Sequence, residues 1–203
     1  MQELTINDGQ RDALQEVANI GASHAATALS RMVNKNIKIG IPKVEVVPLE
    51  QIINCVKDQE VVVGIYLRIS NEIPTYILLL ISKDSAFSLA RMLLGEHSET
   101  VGSLTDMDKS ALCEVGNVMM CAFFDSITEL IGISMIPGPP ALAYDMPCAI
   151  MDYLIIQMGA VADKVVTFSC NVKEEGKESF DINLFLVPEP KSISIILQKL
   201  GMN

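Results

Sequence analysis

Two short stretches carry side chains whose types and spacing can do chemistry: Glu16-Val17-Ala18-Asn19 and Glu114-Val115-Gly116-Asn117, each a glutamate three residues before an asparagine, 98 positions apart. The same shift carries Ile20 onto Val118, Leu29 onto Ile127, Met32 onto Leu130 and Pro42 onto Pro140. A carboxamide does not titrate near neutral pH, so Asn19 and Asn117 are excluded as general bases. An amide can accept from and donate to a water molecule and fix its direction of attack, the kind of positioning on which phosphoryl hydrolysis depends. A carboxylate one turn earlier suits pairing with a lysine or arginine of a partner. No Gly-rich phosphate loop, no acidic cluster for magnesium and no nucleophile–base pair accompanies these residues, so the remaining machinery is expected on another protein.

Helical periodicity places the pairs. At about 100° per residue, with Glu16 at zero, Asn19, Ser23, Thr27 and Ser30 stay within about 60° of it, one polar stripe across four turns. Leu14, Val17, Gly21, Ala25, Ala28, Leu29 and Met32 fill the opposite arc. The second helix repeats the arrangement: Glu114 and Asn117 take the same angles and Asp125 and Thr128 prolong the stripe, which Cys121 interrupts. Leu112, Val115, Met119, Phe123, Ile127 and Leu130 form its apolar arc. Phe124 falls beside that arc and is expected to be partly exposed. Each helix should lie apolar side down, presenting its Glu and Asn to solvent or a partner.

The elements around these helices also repeat. Val44–Leu49, Val61–Ser70 and Thr75–Ser82 read as strands of the first half, and Asp84–Leu94 as its closing helix. In the second half Leu142–Met146, Met151–Ala162, Lys164–Val172 and Phe180–Val187 read as strands, and Ser192–Leu200 as the last helix. Pro137–Pro140 is expected to end the second motif helix, and Lys173–Glu178 to be a hairpin turn. The polar segment Gly95–Asp106 reads as the link between the halves. The fold class expected is α/β (α+β): one domain over 1–203, built of two repeats (about 1–95 and 106–203). Its largely antiparallel sheet has about six strands, with both long motif helices on one face.

Composition bounds the function. The 203 residues carry 15 Lys and Arg against 25 Asp and Glu, a formal net charge of −10. With no basic cluster to neutralise phosphates, nucleic acids and anionic membranes are excluded as partners. Half the chain is hydrophobic, yet no run approaches the roughly 18 consecutive apolar residues of a membrane span. The polar start MQELTINDGQRD is no signal peptide, so a cytoplasmic protein is expected. Five cysteines with no CxxC pair read as reduced, buried thiols. Two histidines, His24 and His97, offer too little for a zinc site or a Ser–His–Asp triad. The eleven methionines read as core packing.

The segments EVANIGASHAATALSRMVNKNIKIGIPKVEVVPLE (Glu16–Glu50) and DKSALCEVGNVMMCAFFDSITELIGISMIPGPPALAYDM (Asp108–Met146) resemble the CheC family of chemotaxis phosphatases, related to CheX and to the phosphatase domain of FliY. The resemblance covers nearly the whole chain. It implies hydrolysis of the aspartyl phosphate of the response regulator CheY, with Asn19 and Asn117 each orienting a water. Glu16 and Glu114 would each hold a lysine of the regulator. No cofactor is expected on this chain; the Mg²⁺ would be bound by CheY. The resemblance also implies a second partner, the receptor deamidase CheD. It therefore leaves an alternative: a non-catalytic or weakly catalytic adaptor that mainly sequesters CheD. A structural flagellar-switch role is set aside, because switch proteins of this lineage carry further motor-binding domains and this sequence ends at Asn203. The family pattern after the first motif commonly reads GAGNAATAL, where Gly21–Leu29 is GASHAATAL. Ser23, with Thr27, falls on the implied substrate-docking surface, and His24 on its flank.

Overall fold

The computed structural model describes residues 6–55, 60–95, 103–158, 163–169, 172–174, 179–180 and 182–202. Helix α1 (Asp8–Val33) starts on an Asn7/Gln10 capping box, with Gln10 N donating to Asn7 Oδ1 at 2.8 Å and Asn7 N to Gln10 Oε1 at 3.0 Å. It ends where Asn34 turns left-handed at φ 50°. The strands of the first half follow: β1 (Ile37–Ile39), β2 (Lys43–Pro48), a 3₁₀ turn (Leu49–Cys55), β3 (Val62–Ile69) and β4 (Thr75–Ser82). Helix α2 (Lys83–Leu94), N-capped by Ser82, closes the half.

The second half opens with α3 (Asp106–Ile131) on a Thr105/Asp108 capping box. Asp108 is fully buried, and its Oδ2 accepts from Thr105 N at 2.9 Å and Thr105 Oγ1 at 2.7 Å. Thr105→Ala is expected to cost about 1–2 kcal/mol, read as a lower urea midpoint with an unchanged slope. Helix α3 ends at Gly132 (φ 67°), a left-handed position that favours glycine. The helix thus stops five residues before the Pro137–Pro140 run expected to end it. Beyond lie β5 (Ala141–Asp145), α4 (Pro147–Met158), β6 (Lys164–Ser169), β7 (Val172–Glu174), β8 (Ser179–Phe180), β9 (Ile182–Pro188) and α5 (Pro190–Lys199). On length and composition α3 is the one helix among the described residues that is long and apolar enough to cross a membrane; half of its most apolar window is buried in the fold.

The strands pair antiparallel as β5-β3-β4-β9, β2-β6 and β1-β7-β8. Cα atoms of β6 come within 8 Å of β9, nearer than the roughly 10 Å between stacked sheets, so the two longer ladders adjoin in one layer. The layer runs β5-β3-β4-β9-β6-β2. Its pseudo-twofold axis lies between β4 and β9, and β2 and β5 have each crossed to pair with a strand of the other half, β6 and β3. Within each half the offset grows from 98 at the motifs to 107 at the closing helices, whose caps are Ser82 and Glu189.

Alternation along the strands fills both faces of this layer. Val63, Ile65, Leu67, Ile77, Leu79, Leu184 and Leu186 point into the core beneath α1, α2, α3 and α5. Val62, Tyr76, Leu78, Leu80, Val165, Phe185 and Val187 point the other way, under the 3₁₀ turn and α4.

Several expectations need correcting. Residues 151–158 are helix, not strand: Ile150, Met151 and Leu154 are buried while Asp152, Tyr153 and Ile156 are exposed, a helical alternation that the apolar run YLII conceals. The rest of that predicted strand, 159–162, lies outside the described residues, as do 170–171 in the predicted strand over 164–172. Phe124 is buried at 5% exposure, because its ring stands edge-on to Phe123 at 5.4 Å between centroids under α1. Leu130, placed on the apolar arc, is instead 48% exposed in the last turn. Ala28 and Met32 are only partly covered. Of the cysteines, Cys113 and Cys121 are half-buried and Cys148 is exposed. His97 and most of the 95–106 link and the 173–178 turn lie outside the described residues.

Candidate functional site

Helices α1 and α3 pack side by side on the sheet. They approach so closely that a Cβ on Gly21 would sit 2.6 Å from the Phe123 ring, a distance no side chain tolerates unmoved. Their buried faces are turned inward: Leu14, Val17, Ala18, Ala22, Ala25 and Leu29 on α1, and Leu112, Val115, Met119, Met120, Phe123 and Ile127 on α3. The sequence-predicted pairs therefore lie on the outer faces, and in matching states. Glu16 and Glu114 are exposed; Asn19 and Asn117 are half-buried. A half-buried amide is held by its neighbours yet reachable by water, whereas a fully exposed carboxylate is free to meet a cation on a partner surface.

The two sites are tied down by corresponding contacts whose donors, Gln15 and Cys113, the sequence reading did not connect with the motifs. At the first, Gln15 Nε2 donates to the carbonyl of Pro42 and lies 3.5 Å from Asn19 Oδ1. At the second, Cys113 Sγ donates to the carbonyl of Pro140 at 3.9 Å. Gln15 and Cys113 are 98 positions apart, as are Pro42 and Pro140, so each motif helix is strapped to the following loop at the same place. The 98-residue shift was the available signal, but a Gln matched with a Cys carries no shared chemistry on paper. Asn117 Oδ1 has its own neighbour, Cys121 Sγ, at 3.7 Å. Burial, reinforced by the charge of Glu114, pushes the Cys113 thiol pKa up. Burial also raises Cys121, with Asp125 and Glu114 adding to it. Both sulfurs thus stay protonated donors.

The remaining stripe residues divide. Ser23 and Thr27 are exposed, with Thr27 Oγ1 donating to the Ser23 carbonyl at 3.0 Å. Ser30 is only half-exposed and turns inward: its hydroxyl accepts from Ile37 N at 2.9 Å and fastens β1 to α1. Asn19, Ser23, Thr27 and Arg31 form one wall of a groove of about 970 Å³, and the chain from Asn34 to Pro42 forms the other. The two predicted docking residues therefore line the same groove as the first amide. His24 is exposed. No cluster of three or more His, Cys, Asp or Glu able to hold a metal occurs among the described residues.

Comparison with known proteins agrees with this architecture. The CheC-like family model matches residues 10–46, which span the first motif, its helix and the following loop. Over 200 residues the chain is 22% identical to the CheY-P phosphatase CheC of Bacillus subtilis, covering 97% of this chain and 96% of that protein. The flagellar motor switch phosphatase FliY of the same organism is 27% identical over 66% of this chain, but only over 35% of its own length. Among solved structures, Thermotoga maritima FliY superposes with TM-score 0.78 at 20% identity, covering 98% of this chain and all of that one. The FliM middle domain of Helicobacter pylori superposes at 0.68 with 14% identity, covering 96% and 99%. The structural likenesses establish a shared fold, and the sequence similarity to the Bacillus CheC runs the length of the chain.

Proposed function

We propose that this chain is a cytoplasmic phosphatase for the aspartyl phosphate of the response regulator CheY, with two sites of the same design. The observation that carries the reading is the repetition itself: two Glu-x-x-Asn pairs at one helical phase, Glu exposed and Asn half-buried in both, on helices packed side by side. In each site the asparagine amide, Asn19 or Asn117, orients a water toward phosphorus. The water oxygen forms the new P–O bond, the bond to the aspartyl carboxylate breaks, and the proton leaves with the phosphate. Glu16 and Glu114 hold the regulator by a charge-assisted bond to a lysine, and Ser23 and Thr27 line the surface on which it rests. The Mg²⁺ this chemistry uses belongs to the regulator. The name of the Bacillus relative, CheY-P phosphatase CheC, supports the substrate.

Charge reversal tests the docking role. Glu16→Lys with Glu114→Lys is expected to raise KM for phosphorylated CheY about 10-fold or more, since like charges then face each other, while the fold, read by circular dichroism, is retained.

A second reading, an adaptor that binds CheD and contributes little catalysis, is favoured by one observation. The same fold occurs in a FliG–FliM complex of Helicobacter pylori, at TM-score 0.66, so the architecture also serves protein assembly. Titrating CheD against this chain tests the adaptor role, and phosphate release tests the enzyme.

A further inference from the structure

The oxygen of each candidate amide is approached from within its own helix, and from opposite directions. Gln15, one turn before Asn19, brings Nε2 to 3.5 Å from Asn19 Oδ1. Cys121, one turn after Asn117, brings Sγ to 3.7 Å from Asn117 Oδ1. The 98-residue correspondence puts Cys113 where Gln15 stands and Ser23 where Cys121 stands. The donor has therefore moved from one side of the amide to the other between the two halves.

A carboxamide has two nearly isoenergetic flips that exchange its oxygen and its NH₂ group, because the torsion that carries it is broad and roughly two-fold. Unheld, it offers an approaching water an acceptor in one flip and a pair of donors in the other. A neighbour that presents a donor, an amide N–H or a thiol S–H, favours the flip whose oxygen faces it. Gln15 is itself anchored for this, since the same Nε2 donates to the Pro42 carbonyl. From these contacts we infer that Gln15 and Cys121 are the positioning residues of the first and second sites, each fixing which end of the asparagine amide faces the attacking water. The inference rests on the phosphatase reading above. Cys121 can play the part because its thiol keeps its proton: burial raises its pKa first, and the charges of Asp125 and Glu114 add to the effect.

The two assignments are tested one site at a time, by steady-state hydrolysis of phosphorylated CheY. With Asn117→Ala leaving the first site, Gln15→Ala lowers kcat about 3- to 10-fold, the worth of one hydrogen bond, with KM within about twofold. Gln15→Glu, the same shape but acceptor-only, lowers kcat at least as far because it turns the amide over. With Asn19→Ala leaving the second site, Cys121→Ala lowers kcat to a similar extent, and Cys121→Ser, an O–H donor in the same place, recovers most of it. Side-chain amide NMR reads the contact without turnover: the Asn117 Nδ2H₂ resonances stay near their wild-type positions in Cys121→Ser and shift in Cys121→Ala. Equal kcat and equal resonances in Cys121→Ser and Cys121→Ala would overturn the assignment of Cys121, and an unchanged kcat in Gln15→Ala that of Gln15. A double Asn19→Ala/Asn117→Ala variant as active as wild type would instead sink the phosphatase reading, leaving the NMR comparison to decide the contacts.

Discussion

Replacing both Asn19 and Asn117 with alanine is expected to reduce hydrolysis of phosphorylated CheY to its spontaneous rate, a loss of about 10²-fold or more. That factor corresponds to about 2.7 kcal/mol of transition-state stabilisation, within the reach of a single well-placed positioning group. Each single variant should keep the activity of its intact site. The two remainders need not be equal, because the sites differ in their surroundings. The first amide opens into a groove of about 970 Å³ with Ser23, Thr27 and Arg31 along its wall. On the second helix the positions corresponding to those three are Cys121, Asp125 and Glu129. A partner surface that prefers a basic flank would favour the first site, and a basic partner surface the second. Because both asparagines are polar and only half-buried, the double variant should unfold within about 1 kcal/mol of wild type. Steady-state kinetics with a parallel urea titration separates lost chemistry from lost fold.

The largest stability effect is expected where α1 meets α3. Phe123 is 2% exposed and its ring lies over a helical position of α1 that has no side chain, Gly21. Phe123→Ala removes the ring and leaves a void that close-packed neighbours cannot fill, at a cost of about 3–5 kcal/mol. Gly21→Ala destabilises for the opposite reason, about 1–3 kcal/mol of overpacking, since its Cβ would fall 2.6 Å from the ring. Combined, the two should not add. Without the ring the new methyl has room, and alanine is a better helix former than glycine by about 1 kcal/mol. The double variant should therefore be more stable than Phe123→Ala alone, a coupling of about 2 kcal/mol or more in a double-mutant cycle. Simple additivity would show that the helices are not held apart by this ring.

What could be read from the sequence divides along physical lines. The motif helices were legible because their apolar arcs keep helical period from Leu14 to Met32 and from Leu112 to Leu130, whereas the stop of α3 at Gly132 was not. Strands β3, β4 and β9 were legible as alternating or continuous apolar runs of seven or eight residues. Helix α4 was not, since Tyr153, Leu154, Ile155 and Ile156 satisfy a strand as well as a helix, and only the covering of Ile150, Met151 and Leu154 decides. The crossing of β2 and β5 to opposite ends of the layer depends on pairing between distant segments, such as Val46 with Val166 and Gly64 with Ala143. No local pattern encodes that. Of the candidate site, the Glu and Asn pairs were legible through repetition, and Ser23 and Thr27 through helical phase. The straps from Gln15 to Pro42 and from Cys113 to Pro140 were not, because each joins residues 27 positions apart and the two donors, a Gln and a Cys, share no side-chain type. Phe124 was misplaced for a related reason: its angle on α3 put it at the edge of the arc, and only the neighbouring helix closes over it.

The measurement that bears most directly on the central claim is the decay of phosphorylated CheY in the presence of Mg²⁺, alone, with the wild-type chain, and with the Asn19→Ala/Asn117→Ala variant shown to be folded. The account predicts faster phosphate release with wild type, and decay indistinguishable from the regulator alone with the double variant. Equal acceleration by both proteins would contradict it, because the amides would then have no part in placing the water.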